Sequence, residues 1–206
     1  MSGSRVWVVD YGAGNLRSVE NALSFLGAKP VIARRPEELE GASRLLVPGV
    51  GEARAAMEAL KASCLDGAIA SFHRSGGPLL GICLGSQIIF EHSEERDTPC
   101  LALMPGTVVR FPVGQGVKVP HMGWNSVSIL RDHPLLAGIP EGAYFYFVHS
   151  YFPRPARSQD LLAESEHGCR FAAGVACGNL AAFQFHPEKS GPLGLRLLAN
   201  FLAWEP

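Results

Sequence analysis

Short apolar runs alternate with amphipathic stretches through the first half of the chain. Val6-Trp7-Val8-Val9 is unbroken by a polar residue, the pattern of a strand covered on both faces. After Asp10-Tyr11-Gly12-Ala13-Gly14 the period changes. Leu16, Val19, Leu23 and Leu26 recur at helical spacing. Asn15 stands where it can cap that helix, and Gly27 where a left-handed residue stops it. Pro30–Ala33 and Leu45–Val47 read as the next strands. Pro48-Gly49-Val50-Gly51 is a turn, Glu52 to Leu60 is Ala-rich and helical, and a further helical piece ends near Ser75-Gly76-Gly77. Leu79-Leu80-Gly81-Ile82 is a fourth strand signal, with a helix pattern from Gly85 to Glu91. Strand–helix alternation of this kind predicts an α/β fold with a mostly parallel sheet covered on both faces.

The second half reads differently. Val108–Val119, Val127–Leu130, Tyr144–Phe152, Phe171–Ala176 and Leu180–Phe185 are strand-like and separated by Gly/Pro turns. They predict antiparallel additions to one sheet edge. A last helix spans Pro192–Trp204. Glu94-Glu95-Arg96-Asp97 is the one dense charge cluster and reads as a solvated loop. No repeat, low-complexity tract or linker interrupts the chain, so residues 1–206 are expected to form a single domain.

Composition narrows the function classes. Lys plus Arg number 18 and Asp plus Glu 19, a net charge of −1. That balance offers no footprint for nucleic acid or an anionic membrane. No stretch approaches the ~20 apolar residues that span a bilayer. The cysteines, Cys64, Cys83, Cys100, Cys169 and Cys177, are odd in number and contain no C-x-x-C pair. A disulfide framework or zinc ribbon is therefore not expected, and a reducing, cytoplasmic compartment is.

The sharpest chemical signal is Gly81-Ile82-Cys83-Leu84-Gly85, between a strand and a helix. It is a nucleophile elbow with Cys in place of Ser. The tight turn projects the side chain from the carboxyl edge of the sheet. The helix start behind it favours a thiolate and offers N–H groups to an oxyanion. The alternative is a structural thiol packed between two glycines. A thiolate attacking a carbonyl needs a base. Phe183-Gln184-Phe185-His186-Pro187-Glu188 supplies one at a strand end, with Glu188 able to fix its tautomer. Among the other histidines, His73, His92, His133 and His167 read as surface positions. No metal-ligand spacing occurs, and neither a metal nor a cofactor is expected. Gly12-Ala13-Gly14 lacks the third glycine of a dinucleotide fingerprint, and the second strand ends in Arg34-Arg35 rather than an acid.

These residues, with Gln87, resemble the class I (triad) glutamine amidotransferases. More narrowly they are similar to the glutaminase subunits of imidazole glycerol phosphate synthases. The narrower likeness rests on Asp10 through Val19, Pro48–Gly51, Pro120-His121-Met122-Gly123-Trp124-Asn125, Tyr146–Tyr151 and Phe183–Ser190. These blocks span nearly the whole chain. The resemblance implies a three-layer α/β sandwich in which Cys83 attacks the side-chain amide of L-glutamine, His186 shuttles protons and Glu188 orients it. It implies oxyanion donors at Val50, Gly51 and Leu84. It implies glutamine contacts at Gly51, Gln87, Glu95, Ser150 and Tyr151, with Glu95 facing the α-ammonium. The implied partner is a (β/α)8-barrel cyclase that receives the ammonia in histidine biosynthesis, giving imidazole glycerol phosphate and an aminoimidazole carboxamide ribotide. It would meet Asn15, His121, Met122, Gly123, Trp124 and Asn125. Trp124 is either an interface anchor or a core residue. Ser86 stands where many relatives carry Met, and Glu52-Ala53 where Ala-Phe is usual.

Three other readings stay open at this point. In a thiol α/β-hydrolase the acid would precede the histidine, whereas Glu188 follows it. A silent binding module would not need the Cys83, His186 and Glu188 set. A freestanding glutaminase would not need the interface-like blocks.

Overall fold

The computed structural model describes residues 4–12, 16–112 and 117–206. Asn15, with the helix cap and partner contact expected of it, lies outside them. The first half follows its hydrophobic pattern. Strand β1 (Arg5–Val9) leads to α1 (Leu16–Phe25), β2 (Lys29–Ala33), β3 (Leu45–Val47), α2 (Ala53–Ala62), α3 (Leu65–Arg74), β4 (Leu79–Ile82) and α4 (Leu84–Ile88). Successive β1 side chains point to opposite faces, as a strand's period requires. Val6 and Val8 join the apolar layer of α1, while Trp7 and Val9 join that of α2, α3 and α4.

Helix α4 is shorter than its pattern predicts. The carbonyls of Ile88, Ile89 and Phe90 accept the N–H groups of Leu101, Leu103 and Ala102 at 2.8–2.9 Å. Ile89 and Phe90 are fully buried in that contact. The apolar pattern continues past Ile88 because packing continues, not because the helix does.

In the second half, short strands β5 (His92–Ser93) and β6 (Thr98–Pro99) precede β7 (Gly106–Arg110), β8 (His121–Ile129), β9 (Ala143–His149) and β10 (Tyr151–Pro155). Strands β11 (Leu161–Glu166), β12 (Arg170–Cys177) and β13 (Leu180–Phe183) follow, and helix α5 (Gly191–Ala203) closes the chain. Nine strands form one sheet in the order β2-β1-β3-β4-β13-β12-β11-β8-β9. Pairing is parallel from β2 to β13 and antiparallel beyond it.

Four features differ from the expected strands. The continuous run Tyr144–Phe152 is two strands in two sheets, with Ser150 as the corner between them. The run expected over Val108–Val119 ends at Arg110, where Phe111 N–H turns to the Ser150 carbonyl at 3.1 Å. A separate sheet, β10-β7-β5-β6, forms where edge extensions alone were expected. Strand β11, between β12 and β8, carries no strong alternation and was not among the expected strands.

Strands β3, β4 and β13 lie side by side and parallel at the centre of the large sheet. The turn Pro48–Gly51, Cys83 and the segment to His186 therefore leave the same carboxyl edge, where open α/β sheets bind ligands. Among the described residues no helix is long and apolar enough to cross a membrane.

Candidate active site

Cys83 occupies the strained corner of the elbow, with φ 54° and ψ −109°. A non-glycine residue held there costs about 1–3 kcal/mol and persists only where its surroundings impose it. Here they do. Cys83 N–H donates to the Phe183 carbonyl at 2.9 Å on the β13 side, and the Ser86 hydroxyl donates to the Cys83 carbonyl at 2.6 Å. A side chain on Gly81 would meet the Gly85 carbonyl oxygen at 2.7 Å, and one on Gly85 would collide with the Val47 carbonyl oxygen. Both flanking glycines are thus dictated by backbone packed on backbone. Ser86 ties down the elbow and is not among the residues that line the adjoining cavity.

His186 and Glu188 are buried together, Nδ1 to Oε1 at 2.7 Å, with side chains 1% exposed. Nδ1 carries the proton in this pair, leaving Nε2 to work on the thiol side. Nε2 is buried and reaches no partner at full hydrogen-bonding geometry, as is common for catalytic pairs before substrate binds. Burial alone would push the imidazole pKa down. The ionised Cys83 sulfur and the Glu188 carboxylate outweigh it, through hydrogen bonding and charge, and lift the pKa to about 10. The ring thus holds a proton at neutral pH, as a general acid for a leaving amine must. The backbone around it is also fixed: His186 N–H donates to the Tyr146 carbonyl at 2.9 Å, and Ser190 Oγ donates to the His186 carbonyl at 2.6 Å.

Beside the thiol lies a cavity of about 260 Å³. It is lined by Val50, Gly51, Leu84, Gln87, Glu95, Ser150 and Tyr151 along with Cys83. Every glutamine-contact and oxyanion residue expected from the sequence therefore reaches one space. Small-molecule sites run from about 300 to 1,000 Å³, so this one suits a single amino acid better than a nucleotide. Glu95, in the turn read from sequence as a solvated loop, reaches inward, and its Oε2 accepts the Ala53 N–H at 2.7 Å. Its carboxyl pKa is raised, chiefly by burial. Gln87 donates both amide hydrogens to protein, to the Tyr151 carbonyl at 2.9 Å and to Gln184 at 3.0 Å. Gln184 lies inside the Phe183–Glu188 segment, where the sequence assigns it no role of its own. It is buried, with Nε2 3.9 Å from the Cys83 sulfur. Its signal was a polar residue inside an otherwise apolar strand end.

Of the expected oxyanion donors, Leu84 N–H is already engaged within the protein. Leu84 N–H, the donor beside the nucleophile, bonds the Gly49 carbonyl at 3.3 Å. An oxyanion would need that same N–H. The turn is held from behind by Tyr11, whose buried hydroxyl donates to the Pro48 carbonyl at 2.9 Å. Burial and then the nearby Cys83 push the Tyr11 pKa up, so it stays a donor.

The block His121–Asn125 divides between inside and outside. Met122 and Trp124 are 64% and 56% exposed on β8, next to Tyr144 at 60%. Trp124 is therefore not a core residue. His121, expected at the partner face, is instead buried. Alternation along a strand requires this once its neighbours face out. It belongs to a chain of hydrogen bonds with one direction. His149 Nδ1–H donates to the Tyr151 carbonyl at 2.8 Å, so its Nε2 accepts from His121 Nδ1 at 3.0 Å. His121 Nε2 in turn accepts from the Asn125 amide at 3.2 Å. His167 is half-buried, stacked on His121 at 4.2 Å, and donates to the Lys118 carbonyl. His73 and His133 are half-buried too, and so is His92, which pairs with Asp97 at 2.7 Å.

Burial holds His121 and His133 at pKa values of about 4 and His149 at about 3. The unfolded chain, with ordinary histidines near ~6.5, takes up these protons first on acidification. Their contribution to stability is complete above that value and falls as the pH drops towards 4. We expect the thermal midpoint, followed by circular dichroism, to fall over this window. The fall should be shallower in His133→Gln, which removes one of these groups far from the cavity. His186 has the opposite sign: its contribution is complete below about pH 6.5 and is lost as pH rises through about 10.

Among the described residues no group of three or more His, Cys, Asp or Glu is arranged to hold a metal ion. Residues 7–204 match the family model described as glutamine amidotransferase class-I. The imidazole glycerol phosphate synthase subunit HisH of Thiobacillus denitrificans is 48% identical over 97% of this chain and 91% of its own. The protein of the same name from Methanosarcina acetivorans is 48% identical over 96% and 98%. A solved structure of PurLQS from Thermotoga maritima superposes with a TM-score of 0.77 at 19% identity, covering 98% of both chains. At that identity the likeness concerns the fold alone.

Proposed function

Because the chain belongs to the class-I glutamine amidotransferase family, we propose that it is the glutaminase subunit of an imidazole glycerol phosphate synthase. Residues 1–206 would act as one domain, in the cytoplasm. The observation that carries this reading is an amino-acid-sized cavity lined by Cys83, Gln87 and Glu95, with the buried His186–Glu188 pair acting on the Cys83 sulfur from behind it. The names of relatives sharing 48% of their residues support the narrower assignment.

The chemistry follows from the placement. His186 Nε2 already holds the proton that Cys83 gives up, and the Cys83 thiolate bonds the side-chain amide carbon of L-glutamine as the carbonyl π pair moves onto oxygen. Leu84 N–H and the turn at Val50–Gly51 hold the oxyanion. His186 passes the proton to the departing nitrogen, the C–N bond breaks, and ammonia leaves an acyl thioester on Cys83. Water, deprotonated by His186, attacks that carbon, the C–S bond breaks, and glutamate leaves the Cys83 thiolate beside the protonated His186. Glu188 keeps the imidazole in one tautomer throughout.

The partner is a (β/α)8-barrel cyclase docked on the exposed Met122 and Trp124, a suitable anchor pair. The free subunit rests with Leu84 N–H engaged by Gly49. Docking of the ligand-loaded barrel turns that carbonyl away, which glycine's backbone freedom allows. The test is glutamate release by the purified chain, alone and with barrel plus nucleotide ligand. We expect about 10²–10³-fold more turnover in the mixture, the scale of restoring an oxyanion donor. Equal rates alone and mixed would discard the gating and the docking face. No turnover in either would discard the glutaminase.

A further inference from the structure

The first turn of α2 comes straight off the oxyanion turn and grips the turn that carries Glu95 at three successive residues. Glu52 Oε1 lies 2.9 Å from Arg96 Nε. Ala53 N–H donates to Glu95 Oε2 at 2.7 Å. The Arg54 guanidinium donates to the Arg96 carbonyl. From the other side, Thr98 Oγ1 donates to the Glu95 carbonyl at 2.6 Å and Glu95 N–H donates to Ser93 Oγ at 3.2 Å. The main chain of the turn is thus held even without Glu52. What Glu52 alone decides is where the Arg96 guanidinium goes. That matters because Arg96 and Glu95 are neighbours, and the Glu95 carboxyl responds to both charges, Glu52 raising its pKa and Arg96 lowering it.

We propose that Glu52 is a positioning residue for substrate binding, acting by drawing the Arg96 guanidinium away from Glu95. The Glu95 carboxylate then stays available to the α-ammonium of an amino-acid substrate. Left unpaired, Arg96 would compete with that ammonium for the same carboxylate. This rests on the reading of the cavity as a glutamine site.

The pair is partly exposed, with side chains 31% and 65% accessible for Glu52 and Arg96, so breaking it leaves the fold intact. The experiment compares glutamine kinetics of the wild-type, Glu52→Gln, Arg96→Gln and doubly substituted subunits, each in complex with the ligand-loaded barrel. We expect Glu52→Gln to raise KM about fivefold with kcat changed less than about twofold, since uniform binding alone is lost. We expect Arg96→Gln to restore a near wild-type KM in the Glu52→Gln background, because the competing cation is gone. A wild-type complex that releases no glutamate would overturn the glutamine reading and this inference with it. Wild-type turnover with an unchanged KM in Glu52→Gln would overturn the positioning role alone. So would a double variant as impaired as Glu52→Gln, which would mean that Glu52 serves only as a tether.

Discussion

Alanine at position 83 is expected to abolish glutamine hydrolysis while leaving the protein folded. In the proposed mechanism the sulfur is the atom that bonds the substrate, and Cys83 is the one thiol among the residues that line the cavity. Removing a nucleophile from a triad lowers kcat by about 10⁴–10⁶-fold, and what survives is binding and oxyanion stabilisation. The fold tolerates the change because the elbow is held by backbone groups and by Ser86, none of which involves the sulfur. A thermal midpoint close to wild type, with no glutamate release above background, is the expected pair of results. A third readout tests the electrostatics. The ionised Cys83 sulfur is one of the two groups that raise the His186 pKa against its burial. In Cys83→Ala that pKa should fall, which an NMR titration of the imidazole would detect. Retained turnover, or an unmoved His186, would remove Cys83 from the centre of the mechanism.

Gly85→Ala is expected to cost both stability and activity. A methyl group there overlaps the carbonyl oxygen of Val47 and comes within 2.9 Å of its carbon. Val47 ends a fully buried strand at the centre of the large sheet, so neither side can give way cheaply. Overpacking of this kind costs about 1–3 kcal/mol and sometimes more. The strain already stored at Cys83 leaves the elbow little tolerance, and moving α4 moves Leu84 N–H with it. Gly67→Ala is the control. It lies in α3 with open space around it and no left-handed backbone, so alanine should stabilise by about 0.5–1 kcal/mol. Urea denaturation of both variants, with glutaminase assays, would give opposite signs. A Gly85→Ala protein as stable and active as wild type would mean that the elbow is not pinned against β3.

The chain's own pattern determined a good deal. Apolar runs at Val6–Val9, Leu45–Val47 and Leu79–Ile82 are fully buried strands whose neighbours are helices, and the α/β reading follows from that local period. The Gly-x-Cys-x-Gly elbow and the His-Pro-Glu turn were also legible, because strand-end geometry and glycine's lack of a side chain act over a few residues. Only the tertiary structure decided the rest. Tyr144–Phe152 is one apolar pattern, yet its halves serve different sheets, because strand period says nothing about which partner supplies the hydrogen bonds. His121 sits inside and Trp124 outside through pairing register, which no single strand specifies. Glu95 belongs to a charged segment that reads as solvated, and it becomes a cavity wall when α2 donates a backbone N–H to it. The engagement of Leu84 N–H by the Gly49 carbonyl depends on two strand ends separated by a whole helical layer in the sequence. Local periodicity sets what each segment becomes. Contacts between distant segments set what each side chain faces, and it is there that burial, charge and hydrogen bonding turn ordinary residues into a site.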